Sequence, residues 1–277
     1  MDAPMQRWQC ATCATEFHPA HQLPQLCPIC ADERQYVPDG VQRWVTAGQL
    51  LDAGHRVRIT QIEPRLYALD VEPAVGIGQR AKLVCTEGGN LLFDVPPVLD
   101  DRCVARLREL GGVAAIVASH PHMYGVQSAY SAAFDDAPVY VAAVDAHWVQ
   151  YEFAAIRHFG AGFEPLPGLR LEIVGGHFPG STVALWADGA EGRGVLLAGD
   201  AIFPVADGNV TFLRSYPNRI PLSGPVVRRI AAQVTQWDFD RLYNNFTGVL
   251  PRDARRIVGF SAERYARWAE GANDHLT

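Results

Sequence analysis

An apolar run over residues 113–118 stops abruptly at Ser119, His120, Pro121 and His122. Six apolar residues preceded by Gly111 and Gly112 read as a buried strand. Residues two apart on extended backbone point the same way, so both imidazoles are expected to project from the strand end into one space. Pro121 fixes its own φ and favours extended geometry at His120. A strand end that delivers two imidazoles to one point supplies what a metal site with nitrogen ligands requires. Alone, the pair also fits a strand cap in a solvated loop. The features that favour a metal lie farther along the chain.

Composition removes several alternatives. A chain of 277 residues, 48% hydrophobic and 19% charged, can bury a large core as one domain, or as one domain with a small module. A formal net charge of -6 argues against a polyanionic partner, because nucleic-acid binders carry a basic face. No apolar run reaches the length of a membrane span, and the first ten residues hold no apolar signal core, so a cytoplasmic address and a small-molecule substrate are expected.

The six cysteines agree with a reducing compartment. Cys85 and Cys103 stand alone in apolar segments and read as small core residues. The other four form two Cys-x-x-Cys turns, Cys10 with Cys13 and Cys27 with Cys30. Together they complete a tetrahedral set around one ion. So short a piece cannot fold on apolar burial alone, whereas metal binding supplies folding energy. Residues 1–38 are therefore expected to be a closed, structural four-cysteine site, with zinc favoured over iron, and His18 and His21 are expected to be loop residues. Residues 39–56 read as a connector that docks through Trp44.

Beyond the connector, strand patterns cover 57–62, 66–71, 82–86 and 90–95, with a hairpin turn at Gly88 and Gly89. Helical spacing follows over 99–110, then the histidine strand, a second helix over 126–134 and a strand over 138–143. Three more strands read over 169–174, 182–186 and 194–198, and helices over 225–237 and 253–270 close the pattern. Two of the strand ends carry candidate ligands, His177 and Asp200. Strands first, then strands mixed with helices, in two similar halves, suggest two packed sheets with helices outside.

The order of these features resembles the metallo-β-lactamase superfamily. The pieces that carry the resemblance are the strand ending in Asp94, Ser119-His-Pro-His122, the turn Gly176-His-Phe-Pro-Gly-Ser181, and Leu197-Ala-Gly-Asp200. They span roughly residues 55–270 and leave the cysteine module outside. The resemblance implies an α/β, four-layer αβ/βα sandwich over residues 57–277, with metal ions at the sheet edges. It also implies that His120, His122 and His177 form the first metal site, with Asp200 as a fourth or more distant ligand. Two departures stand out. The family's Asp and His after the opening motif are Tyr124 and Gly125 here, and its last histidine falls where Phe246 or Thr247 stands.

Those losses remove the second site, so one metal is expected: a divalent ion, zinc first, with Fe2+ or Mn2+ as alternatives. Such a site suits hydrolysis of an ester, thioester, lactone or related bond by an activated water. Asp200 is then the candidate proton acceptor. Tyr124 is a candidate hydrogen-bond donor to an oxyanion or leaving group, or else a pocket wall. Asp94 and Ser119 are expected to support loops, and His147 and His158 to be surface or packing residues. Two rival readings remain at this stage. One is a mononuclear-iron enzyme that oxidises sulfur compounds, its module resembling a shortened rubredoxin as much as a zinc ribbon. The other is a non-catalytic metal-binding protein of the same fold.

Overall fold

The computed structural model describes residues 4–277. The chain divides into two compact units, residues 1–159 and 160–277.

In the first unit, β1 (Trp8–Cys10) pairs antiparallel with β2 (Trp44–Thr46), so the connector is stitched to the cysteine module by a two-stranded ladder. Trp44 docks edge-on against Phe17, ring centroids 4.8 Å apart. The main sheet follows in chain order: β3 (Arg56–Glu63), β4 (Leu66–Glu72), β5 (Ala81–Thr86), β6 (Gly89–Phe93), β7 (Ala115–Val117), β8 (Val139–Ala142) and β9 (Ile156–Phe159). Pairing is antiparallel from β3 to β6 and parallel from β6 to β9. Central strands such as β7 are buried throughout, whereas edge strand β3 is half exposed, as two-sided and one-sided coverage require.

Helix Asp101–Glu109 is capped by Asp100, whose Oδ1 accepts from Cys103 N at 2.9 Å while Oδ2 accepts from Val57 N at 2.8 Å. One carboxylate thus starts the helix and ties it to β3. Helix Gln127–Ala133 lies beside it, with the Tyr130 hydroxyl donating to Val98 O at 3.1 Å.

The second unit holds β10 (Phe163–Leu166), β11 (Leu169–Ile173), β12 (Thr182–Trp186), β13 (Val195–Leu197), a small hairpin of β14 (Phe203–Pro204) and β15 (Val210–Thr211), then β16 (Arg241–Tyr243) and β17 (Val249–Leu250). Its six-stranded sheet runs β10-β11-β12-β13-β16-β17, antiparallel except for the β13–β16 pair. Helices Gly224–Thr235 and Ala254–Ala269 lay Val227, Ile230, Val234 and Val258 against Val183, Leu196 and Leu242 of the sheet.

Several elements differ from the pattern read in the sequence. The histidine strand is only Ala115–Val117, because beyond it the backbone amides turn to side-chain and loop partners. Strands β9, β10, β16 and β17 lie outside every run read as a strand. β9 exposes Arg157 and His158, β10 contains Pro165 and a register shift, and β16 has three residues, too few to show a period. The boundary between the units falls after β9, inside the 57–277 span.

The end of the histidine strand is fixed by Asp94. Its backbone N donates to Val117 O at 2.7 Å and its Oδ1 accepts from Ser119 N at 2.7 Å. Asp94 is fully buried at φ 66°, a left-handed conformation that Asp tolerates better than most residues. Burial pushes its carboxyl up to about 6, against the pull of the Ser119 amide and of Lys82, the chain's one lysine and itself buried. A carboxyl raised in the folded state contributes stability that is present below pH 3.8 and lost as pH rises through 6. Asp94→Ala removes the acceptor and adds left-handed strain, an expected loss of about 2–4 kcal/mol in urea unfolding. Asp94→Asn keeps the acceptor oxygen, tolerates the same φ and does not titrate. Its stability relative to wild type is expected to improve between pH 4 and pH 7.

Candidate metal centres

Cys10 ends β1, and the chain turns back at once, with Ala14 N donating to Cys10 O at 2.8 Å and Ala14 at φ 64°. That turn brings Cys13 beside Cys10. Cys27 precedes the short helix Pro28–Ala31, which carries Cys30 on its buried side. The four sulfurs lie within 4.8 Å of one another, with Cys10–Cys30 and Cys13–Cys27 each at 3.7 Å, too far for disulfides. A tetrahedron of Zn–S bonds of about 2.3 Å has edges of about 3.8 Å, so the four sulfurs fit a metal ion. Hydrogen bonds from Cys13, Cys27 and Cys30 pull the Cys10 thiol down, while burial pushes Cys13 up. His18 and His21 are exposed and stand outside the cluster.

The module also grips the histidine loop. Glu16 N donates to Gly125 O at 3.2 Å, and Thr15 Oγ1 approaches Pro121 O at 3.5 Å. The buried Glu16 carboxylate accepts from both the N and Oγ of Ser128 at the start of helix Gln127–Ala133. Burial pushes the Glu16 carboxyl up, and Ser128 and Arg7 oppose that shift. On the module's other side, a Cβ at Gly76 would stand 2.3 Å from Thr12 O, so only glycine admits this seating.

His120 and His122 both lie on the gripped loop, each at most 2% exposed, with ring centroids 5.3 Å apart and planes at 85°. Their route to one place differs from simple strand alternation. His120 is extended at φ −169°, but Pro121 opens a 3-10 turn, Pro121–Met123, and Met123 N donates back to His120 O at 2.9 Å. Proline at the first position of a helical turn removes a donor that the turn does not use. The turn, not an extended strand, therefore directs His122. The Ser119 hydroxyl meets His120 Nδ1 at 2.9 Å and holds the orientation of the ring.

Behind this loop, Tyr124 is buried, its hydroxyl donating to Asp145 O at 3.4 Å, and burial pushes its phenol up. At Gly125, φ 52°, a Cβ would stand 2.5 Å from Val95 O and 2.9 Å from Pro96 O. Position 125 therefore has no room for a side chain.

In the second unit, His177 sits in the loop between β11 and β12. That loop is closed by Val174 N donating to Ser181 O at 2.8 Å and by Phe178 N donating to Ser181 Oγ at 2.8 Å. His177 is fully buried, and its Nδ1 donates to Arg214 O at 3.0 Å, fixing the tautomer that offers Nε2 as an acceptor. Nε2 lies 3.8 Å from Oδ2 of Asp200, which follows β13 and is 4% exposed. After β16, Asn244 and Asn245 are the buried residues, while Phe246 is half-buried and Thr247 exposed. The slot read in the sequence at Phe246 or Thr247 thus borders an amide pair that the sequence pattern did not single out. The available signal was the Asn-Asn step at a strand end. His147 and His158 are exposed.

Two sheets with these strand ends define a class: the chain has the metallo-β-lactamase fold, with a four-cysteine module beside it. Solved structures that share the fold include the DIM-1 metallo-β-lactamase exposed to ceftazidime, at 11% identity and a TM-score of 0.55, covering 76% of this chain and 98% of that one. FIM-1 from Pseudomonas aeruginosa, in its mono-zinc form, matches at 16% identity and a TM-score of 0.53, covering 76% of this chain and 96% of that one. Within this fold the chain belongs to the family of the uncharacterized protein YmaE of Bacillus subtilis (strain 168), 42% identical over 263 residues, 93% of this chain and 95% of that protein. No protein-family model matches the chain. Among the described residues, no helix is long and apolar enough to cross a membrane.

Glu16→Ala deletes the acceptor of two buried Ser128 donors and is expected to cost about 2–3 kcal/mol in urea unfolding, with Glu16→Gln losing less because one acceptor oxygen remains.

Proposed function

We propose that the chain is a metal-dependent hydrolase with a single catalytic metal ion, held by His120, His122, His177 and Asp200, and with a zinc ion held by the four cysteines. The observation that carries this reading is the tautomer control at His177. Arg214 O can only accept, so Nδ1 of His177 carries the proton and Nε2 is the electron-pair donor of that buried ring, while the Ser119 hydroxyl at Nδ1 of His120 orients the second ring. Three imidazoles and a carboxylate are a donor set suited to zinc, with iron or manganese as alternatives. When bound, the cation lowers the pKa of water and polarises a carbonyl oxygen.

The chain's own groups do the remaining work. Asp200 accepts the proton that the attacking water gives up. His177 keeps its orientation through the Arg214 carbonyl, and His120 through Ser119. The backbone carbonyls packed against Gly125 support a one-metal site, because a ligand side chain does not fit there. The mono-zinc form of FIM-1 shows one ion in a protein of this fold. Tyr124 is assigned as a donor to the departing oxygen or sulfur, a role in which its hydroxyl leaves Asp145 O. We place the protein in the cytoplasm, on the ground that all six cysteines are unbridged.

Elemental analysis tests the ligand set. Wild type is expected to hold two metal ions per chain and His177→Ala one, with the four-cysteine metal retained. Equal content in the two proteins would contradict the assignment. Hydrolysis of a panel of esters, thioesters and lactones is expected to require the metal that His177→Ala loses. Tyr124→Phe is expected to lower kcat by about tenfold with KM little changed if the hydroxyl acts as a donor. An unchanged kcat reduces Tyr124 to a wall of the site.

A further inference from the structure

The hydrolase reading leaves the substrate unnamed, and three aromatic side chains of the second unit bear on it. Phe203 opens β14, three residues after Asp200. Tyr216 lies two residues past Arg214, whose carbonyl holds His177. Phe246 belongs to the loop after β16, beside the buried Asn245. The rings of Phe203 and Tyr216 are 6.3 Å apart between centroids, and those of Phe203 and Phe246 are 6.1 Å apart. Phe203 and Phe246 are half-buried, and Tyr216 is 60% exposed.

Three separate loops thus send their rings to one place. One of them carries a proposed ligand, and a second orients another. Three residues of chain span at most about 11 Å, which bounds the distance from Phe203 to Asp200. Size decides between kinds of occupant. An aromatic side chain offers about 150–250 Å² in total, and these three spend much of theirs on one another, against the ~800 Å² per partner of a stable protein interface. The exposed remainder suits one ring or a short alkyl chain.

We infer that Phe203, Tyr216 and Phe246 form an apolar subsite that receives an aryl or medium-chain alkyl group of the substrate, an inference that rests on the hydrolase reading. Burying such a group discriminates by about 10–200-fold over a substrate that lacks it.

The test uses metal-loaded full-length protein and two thioesters with one leaving group, the S-acetyl and S-phenylacetyl derivatives of N-acetylcysteamine. Wild type is expected to favour the phenylacetyl thioester by at least about tenfold in kcat/KM, and Tyr216→Ala and Phe246→Ala are expected to bring that ratio within about threefold of unity. The exposed Tyr216 provides a variant whose folding is not at issue. A ratio near unity in wild type, or equal losses on both thioesters in the variants, overturns the subsite. If wild type cleaves neither thioester nor any ester or lactone of the panel, the hydrolase reading is at fault. Whenever neither thioester is cleaved, NMR titration with phenylacetate and acetate judges the subsite separately. Binding of phenylacetate at least about tenfold tighter than acetate, and lost in Tyr216→Ala, upholds it. Equal affinity for the two overturns it.

Discussion

A parallel strand can end only where its last amides find other partners, and in this chain that handover is made by one carboxylate. Asp94 closes β6, gives its own N–H to Val117 and takes the N–H of Ser119 on Oδ1. A buried carboxylate that accepts a main-chain amide is rigid, since any slip leaves both groups desolvated and unmatched. The position of Ser119 then sets that of His120, and Pro121 sets the turn that aims His122. The order of causes runs from sheet register to loop to imidazole. A catalytic constellation needs this kind of support, because displacements well under an ångström already degrade it.

The four-cysteine module adds a second restraint from outside the sheet. Its four sulfurs stand within 4.8 Å of one another, and an ion shared by them would stiffen a short length of chain. The residues just after Cys13 make the link: Thr15 lies against Pro121, and Glu16 against Gly125 and Ser128. The four-cysteine cluster and the histidine loop are thereby mechanically connected within one unit. The same crowding explains why position 125 is glycine: the loop is pressed so near the main chain of Val95 and Pro96 that no ligand side chain fits.

Much of this was legible in the sequence. The cysteine spacing, the histidine pair, the His177 turn and the strand ending in Asp200 are local patterns, and local patterns survive in one dimension. What was hidden depends on distance along the chain or on short length. The Glu16–Ser128 contact joins positions 112 residues apart, with no periodic signal at either end. Strand β16 has three residues and takes its identity from its neighbour β13, and β10 carries a proline that disqualifies it by pattern. The turn at Pro121 was ambiguous by nature, since proline suits an extended segment and the first turn of a helix alike. Asn244 and Asn245 gave no periodic cue, for a buried amide is recognised by its surroundings.

The protein's basic groups have a further consequence. Lys82 is the chain's single lysine, and it is buried on β5 with its ammonium donating to Arg80 O at 3.1 Å. The cationic surface is therefore made of guanidinium groups, which stay protonated and are poor nucleophiles where amines are good ones. Activated acyl compounds modify exposed lysines without any catalyst. Among the side chains only the buried Lys82 carries an amine, so a reagent that acylates exposed lysines finds none on this surface.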